Sequence, residues 1–314
     1  MDYQKASEIL KSIIENVEKV IIGKRYAIEL SLIAIIAGGH VLIEDIPGVG
    51  KTRLVSSFAK SIDCTFKRIQ FTTDTLPSDI TGFSVYNPKT MEFDYKKGAV
   101  LNQFVQVDEI NRASSRTQAS LLEVMEEGQV TVDGETYRAP EPFIVFATQN
   151  PVEYAGTHPL PESQLDRFFM CVSMGYPKRD EEINILQRHS LNSSSALLPV
   201  ASVSDINEIK QLVQSVYMSD LVAGYLVDIV SATRTHPVVA LGASPRAAIQ
   251  LSLASKACAL FNSRNYVVPD DIQRMVLPVF GHRIFKKSGM LSSKDETKAI
   301  LNQILSAIAV PVVK

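Results

Sequence analysis

The sequence predicts an α/β protein: a parallel sheet covered on both faces by helices, followed by a smaller all-helical domain. Three observations carry this prediction. Through about residue 190, short apolar runs alternate with helical stretches, the pattern of strands buried in a parallel sheet. A Ser-rich stretch, "LNSSSALLP" at 191–199, then changes the composition as a linker does. Beyond it the apolar spacing is helical and no strand is expected. With 314 residues and 46% hydrophobic content the chain can fill about two cores, and the domains are expected at 1–190 and 195–314.

The elements come in order. Over residues 2–20, Tyr3, Ala6, Ile9, Leu10, Ile13, Ile14 and Val17 recur at threes and fours, so an amphipathic helix is expected to pack on the core of the first domain. The most apolar stretch, "LSLIAIIAGG" at 30–39, falls short of the roughly 20 residues that span a bilayer and reads as a buried helix, with no transmembrane segment. Strands are expected at 41–43, 66–69, 104–107, 143–147 and 168–172. Two segments break the alternation and read as hairpins. "GFSVYNPKTMEFDY" turns at Asn87-Pro88, and "GQVTVDGETYR" turns at Asp133-Gly134, a type I′ signal. Surface decoration and a functional role both remain open for them. Helices are expected at 179–190, 206–216, 221–233, 245–262 and 270–276.

Charge excludes some functions. Lys and Arg total 32 against 34 for Asp and Glu, a net charge of −2 that leaves no global field to hold a polyanion. Cys64, Cys171 and Cys258 are far apart and lack a C-x-x-C or His-rich neighbour, so they read as buried thiols of a cytoplasmic protein. The start "MDYQKASEIL" has neither the basic opening nor the apolar run of a signal peptide.

The chemistry centres on "VLIEDIPGVGKT" at 41–52, where an apolar strand runs into Pro47, Gly48, Val49, Gly50, Lys51 and Thr52 and then a helix. Glycines let backbone N–H groups close around phosphates, and a helix N-terminus adds a favourable dipole. Lys51 is expected to reach the β and γ phosphates and Thr52 to ligate Mg²⁺, with Arg53 in the first helical turn beside the nucleotide. Asp45 replaces the first glycine of G-x-x-x-x-G-K-[ST]. Aimed at the γ-phosphate it would cost several kcal/mol at an effective dielectric of about 20, so its carboxylate is expected to turn away and bond loop backbone. The competing reading is a glycine-rich turn with no ligand. "FVQVDEINRA" delivers Asp108 and Glu109 from a strand end: Asp108 suits the Mg²⁺ shell, Glu109 the base that activates water. "FIVFATQNP" ends on Asn150, suited to hold a water beside the γ-phosphate or to serve as a plain turn residue. In "LPESQLDRFF", Arg167 reads as a transition-state cation or as the ion-pair partner of Asp166. In "GASPRAA", Arg246 stands at a helix start, where a cation gains nothing from the dipole, so an outside anion is expected there.

Taken in order, "IEDIPGVGKT", "VDEINRA", "LLEVMEEGQVTVDG", "ATQNP", "LPESQLDRF" and "GASPRA" resemble the MoxR group of AAA+ ATPases over nearly the whole chain. Asp45 stands where family members commonly have glycine, Lys24 where Gln often follows Gly23, and His158 where an aromatic is common. The resemblance implies an αβα P-loop nucleotide-binding domain with strand order 5-1-4-3-2, a helical lid, ATP and Mg²⁺ as cofactors, and a ring, usually a hexamer. It implies that Ile22 and Gly23 lie in the segment contacting adenine. Asn150 would be sensor 1, Arg167 an arginine finger offered to the neighbouring subunit, and Arg246 sensor 2, a lid residue on the nucleotide. The hairpins would match the helix-2 insert and the pre-sensor hairpin. The group is similar to chaperones that mature protein complexes or load metal cofactors, often with a von Willebrand factor A-domain partner. A ring ATPase that remodels protein complexes is therefore the leading expectation. A nucleic-acid translocase, the alternative, is disfavoured by the near-neutral charge, and a nucleotide switch by Glu109 and Asn150, which a pure binder does not need.

Overall fold

The computed structural model describes residues 1–150, 158–190, 197–287 and 294–312. Asp2 caps α1 (Tyr3–Glu18) by accepting from Lys5 N–H at 2.7 Å, and the helix buries Ala6, Leu10, Ile13, Ile14 and Val17. Next, α2 (Arg25–Ala37) is apolar all round and buried along most of its length, as the sequence predicts. It runs into β1 (Val41–Glu44), the phosphate-loop segment, α3 (Lys51–Ile62) and β2 (Phe66–Gln70). A short helix, α4 (Pro77–Thr81), leads into the first hairpin, β3 (Gly82–Asn87) with β4 (Glu92–Lys97). Then come β5 (Phe104–Asp108), α5 (Ser115–Glu127) and the second hairpin, β6 (Gln129–Val132) with β7 (Glu135–Arg138). The core closes with β8 (Ile144–Gln149), α6 (Glu162–Leu165), β9 (Met170–Val172) and α7 (Arg179–Ser190).

The five core strands lie in the order β2-β5-β8-β1-β9, all parallel. Numbered among themselves they run 5-1-4-3-2 from the far edge, the order the resemblance implies. Each expected strand is present, though β8 and β9 start one and two residues later than predicted. A parallel strand's C-terminal end points the same way as its neighbours', so the residues leaving β1, β5 and β8 gather at one edge.

The lid comprises α8 (Val203–Ser215), α9 (Asp220–Thr235), β10 (Val239–Leu241), α10 (Pro245–Phe261), α11 (Pro269–Phe280), β11 (Phe285–Lys286) and α12 (Lys294–Ala307). Here the all-helical expectation needs correction, because β10 and β11 pair antiparallel, Val239 opposite Lys286. Strands of three and two residues are too short to carry a period, so the sequence did not announce them. The expected linker at 191–199 lies largely outside the described residues. The lid packs on α1 and α2, joined by an apolar core that includes Leu10, Ile14, Ile33, Ile206, Ile209, Leu251 and Met275. Of the cysteines only Cys258 is buried; Cys64 and Cys171 are half-buried, and all three are free thiols.

The first hairpin is mostly exposed, while the second seats Val130 in the core and packs Tyr137 against it. The Asp133-Gly134 turn has positive φ at both residues, 51° and 84°, as a type I′ turn requires. Tyr95 of β4 stacks on Tyr137 of β7 with ring centroids 4.1 Å apart, tying the hairpins together. Tyr86 pairs across the strands with Phe93, centroids 5.4 Å apart, yet the two are 51% and 73% exposed. Cross-strand packing and exposure thus coexist on this face.

Candidate active site

The loop after β1 is shaped by two glycines. Gly48 (φ 84°) and Gly50 (φ 93°) hold left-handed backbone, and a Cβ on either would meet nothing within 4 Å, which leaves an open cradle at the N-terminus of α3. Lys51 bends back over the loop and donates from Nζ to the Asp45 carbonyl at 2.8 Å. Thr52 follows on the helix, with Arg53 exposed beside it; Pro47 is exposed and Val49 half-buried.

Asp45 is buried. Its Oδ1 accepts from Ile46 N–H at 3.0 Å, and its Oδ2 accepts from Ser173 Oγ at 3.3 Å and from the N–H groups of Met174 and Gly175 at 2.5 and 2.8 Å. The expectation of loop-backbone bonding holds only for Ile46. Most of the carboxylate's partners belong to the segment leaving β9, the strand beside β1, so the acid stitches two strand ends together.

Thr52 and Asp108 are brought together by a residue the sequence reading missed. Gln106, wholly buried on β5, donates from Nε2 to Thr52 Oγ1 at 2.8 Å and to Asp108 Oδ1 at 2.7 Å. Its signal was there: an amide inside an otherwise apolar strand must find partners. Asp108 also accepts from Thr148 Oγ1 at 3.2 Å and from Arg68 Nε at 2.6 Å. Glu109, next in the chain, sits at φ 58°, ψ 52°, a left-handed conformation costly for a residue with a Cβ and one that concentrates at functional sites. Its N–H donates to Thr148 Oγ1 at 3.1 Å, and its Oε2 accepts from Gln70 Nε2 at 2.8 Å and pairs with Arg112 Nε at 2.9 Å. Asn150 is buried immediately after Gln149, whose strand partner is Glu44, so it stands between the loop and the acids. Gly23 (φ 73°) packs under the Glu181 carboxylate of α7, which fills the place of any Cβ, and next to it Lys24 Nζ reaches the Tyr176 carbonyl at 2.7 Å. Lys24, two residues after Ile22, thus ties this stretch to Tyr176, the residue that follows the segment bonded by Asp45.

Arg167 and Arg246 are elsewhere. Both pair with Glu126 at the end of α5, Arg167 through Nη2 at 3.1 Å and Arg246 through Nη2 on the other oxygen. They line a cavity of about 450 Å³ together with His40, Phe169 and Ile249. His40 precedes β1 whereas the loop follows it, and five residues at about 3.3 Å each put roughly 16 Å between the two ends. Two expectations are corrected here. Arg246 is not grouped with its own chain's loop, because the lid packs on α1 and α2 and so carries α10 to the opposite edge of the sheet. Nor is Arg167 the partner of Asp166, which is engaged by Arg283 Nε at 2.9 Å and Ser244 Oγ at 2.9 Å. His40 itself accepts from Val145 N–H at 3.0 Å and donates to the Met125 carbonyl at 2.9 Å; burial pushes its imidazole down to about 4.

Among the described residues no group of three His, Cys, Asp or Glu side chains could hold a metal ion. A site of one hydroxyl and one carboxylate fits Mg²⁺, which keeps several waters and takes its other ligands from phosphates.

Comparison with known proteins agrees with this geometry. The model of the ATPase family associated with various cellular activities (AAA) matches residues 40–170, and that of the AAA lid domain matches residues 231–304. The chain is 49% identical to the uncharacterized protein YeaC of Bacillus subtilis over 97% of this chain and 95% of that one. It is 37% identical to the chaperone MoxR1 of Mycobacterium tuberculosis over 96% and 82%. The crystal structure of a candidate ATPase from Cytophaga hutchinsonii superposes with a TM-score of 0.91 at 38% identity, covering 99% of this chain and 97% of that one. A phosphate loop, paired acids at a strand end and a lid, on a chain this similar to those relatives, make it a member of the MoxR family of AAA ATPases, an enzyme that hydrolyses ATP.

Proposed function

We propose that the chain acts in the cytoplasm as a ring-forming chaperone that uses ATP to remodel, assemble or activate protein complexes, each hydrolytic site being completed by a neighbouring subunit. One observation carries this reading. The loop and its acids lie at one edge of the sheet and the arginine pair at the other, so no single chain brings both to one phosphate. Head-to-tail contacts that close a ring, such as a hexamer, would join them. The name of the relative chaperone MoxR1 supports the chaperone role. The exposed Tyr86 and Phe93 and the Asp133-Gly134 tip offer a surface for a protein client. A von Willebrand factor A-domain partner and the loading of a metal cofactor belong to the same proposal, on the family resemblance. No helix among the described residues is long and apolar enough to cross a membrane.

In this reading the backbone N–H groups of Gly48, Val49 and Gly50, with Lys51, hold the β and γ phosphates, Pro47 opens the loop without donating, Ile22 and Gly23 flank the adenine, and Arg53 lies at the rim. Thr52 and Asp108 would hold Mg²⁺, which neutralises phosphate charge as the bond to the leaving group breaks. Asn150 orients the attacking water and Glu109 accepts its proton. Arg167 and Arg246 meet the γ-phosphate bound to the next subunit. An arginine finger is worth about 10³ to 10⁵ in rate, far above the 0 to 1 kcal/mol of a half-exposed ion pair. Arg167→Ala should therefore bind ATP and lose hydrolysis, and mixing it with Lys51→Ala should restore part of the activity. Wild-type specific activity should rise with concentration as subunits assemble. Normal hydrolysis by Arg167→Ala, or activity that stays flat across the assembly range seen by light scattering, would overturn the cross-subunit reading. Stimulation by DNA with steep salt dependence would mark a nucleic-acid motor instead.

A further inference from the structure

Asp166 lies beside Arg167 in the chain, yet its side chain serves the lid. Its carboxylate accepts from Ser244 Oγ at 2.9 and 3.0 Å and from Arg283 Nε at 2.9 Å. Ser244 is the N-cap of α10, accepting from Ala247 N–H at 3.0 Å, and Arg246 follows two residues later. Arg246 then pairs with Glu126, which also holds Arg167. Asp166, Ser244, Arg246, Glu126 and Arg167 thus form a closed circuit spanning the sheet domain and the lid. Glu126 is itself placed by the bond from His40 to the carbonyl of Met125.

Lid docking alone does not need the Asp166 carboxylate. Arg283, almost wholly buried, also donates to the carbonyls of Asp166, Phe168, Phe169 and Val279 and to Gln250. Those acceptors pin α11 to the start of β9 whether or not residue 166 has an acid. What the carboxylate supplies, and the other acceptors of Arg283 do not, is a fixed point for Ser244, the N-cap of α10. Its charge also suits that place, since an anion near a helix N-terminus is favoured by the dipole.

We infer that Asp166 is a positioning residue for ATP hydrolysis: by holding Ser244 it fixes the start of α10 so that Arg246 comes up beside Arg167 on one face. This rests on the reading that the two arginines act on a neighbour's phosphate. A misplacement of about 1 Å at a catalytic group can cost 10²-fold in rate. Asp166→Ala should therefore lower kcat about ten- to a hundredfold while the ATP dissociation constant, measured by titration, stays within about threefold. Asp166→Asn, which keeps an oxygen for Arg283 and a polar group for Ser244, should recover most of the rate. Should Asp166→Ala not fold, Ser244→Gly removes the same hydroxyl contact at small cost to the cap, and it should lower kcat at least about fivefold with ATP binding kept. Two results overturn the inference while leaving the arginine reading intact: kcat within twofold of wild type in the folded variant while Arg167→Ala is inactive, or ATP affinity falling in step with kcat. Normal hydrolysis by Arg167→Ala overturns the cross-subunit reading and this inference with it.

Discussion

Replacing Asp45 by the glycine that the usual phosphate-loop pattern carries should cost stability and spare nucleotide affinity. The carboxylate accepts the buried Met174 N–H and the half-buried Gly175 N–H, and it also takes Ile46 N–H and Ser173 Oγ, where water can substitute more readily. A hydrogen bond to a charged group is worth about 1.5 to 3 kcal/mol, and a buried donor left without a partner costs a similar amount. Counting Met174 fully and Gly175 in part, with about 0.5 to 1 kcal/mol for the added backbone freedom of glycine, Asp45→Gly should destabilise by about 3 to 5 kcal/mol. At about 2 to 4 °C per kcal/mol for a domain of this size, the melting temperature of nucleotide-free protein should fall by roughly 6 to 20 °C. ATP affinity should stay within a few-fold, because Lys51 bonds the backbone carbonyl of residue 45, which glycine retains. Differential scanning calorimetry and an ATP titration on the same preparation measure both quantities. A melting temperature unchanged within about 2 °C would refute the stitching role. A hundredfold change in ATP affinity would show that the acid lies in the phosphate field.

Lys51→Ala should abolish ATP binding, as read by calorimetric titration, since no other loop side chain neutralises phosphate charge. Glu109→Gln should bind ATP and lose most steady-state turnover, because an amide cannot accept the proton of the attacking water; near-normal hydrolysis would assign the base elsewhere. Gln106→Leu should weaken the dependence of hydrolysis on Mg²⁺, raising the metal concentration for half-maximal rate several-fold, since Thr52 and Asp108 lose the amide that holds them together; an unchanged Mg²⁺ titration would count against that bridge. Burial holds His40 at about 4, against an ordinary 6.5, and pushes His282 beside Arg283 in the same direction. The unfolded state then binds more protons below pH 6.5, so this stabilisation is full above pH 6.5 and is lost as pH falls towards 4, by about 3 kcal/mol for His40. Urea unfolding between pH 7.5 and 4.5 should show a shallower acid loss in His40→Gln than in wild type, and equal slopes would be contrary to this.

How much could be read without the fold differs from residue to residue. The strand-to-helix passage at Gly48 to Thr52, the acids at 108 and 109 and Asn150 could be picked out as candidates because their placement depends on local order: a strand must end, and a glycine must permit left-handed backbone, at a fixed spacing. The strand order came from the ordered set of motifs, and α1 and α2 from their apolar periodicity. What stayed hidden was every relation between segments distant in sequence. Nothing local says that Gln106 bridges Thr52 and Asp108, although a polar residue in an apolar strand is a hint, or that Gln70 and Arg112 restrain Glu109. The two-stranded pairing of Val239–Leu241 with Phe285–Lys286 is too short to leave a period.

Local sequence was enough to nominate the site, because loop, acids and polar strand end are each encoded in a few consecutive residues whose conformations are set by backbone sterics and the strand's reach. Which residues share an edge of the sheet is a property of the packed molecule. The lid's apolar helices bury against α1 and α2, and this packing carries Arg246 to the edge that holds Arg167 while Ser244 and Arg283 claim Asp166. Burial of that contact is a sum over residues from both ends of the chain, so no short window of sequence contains it.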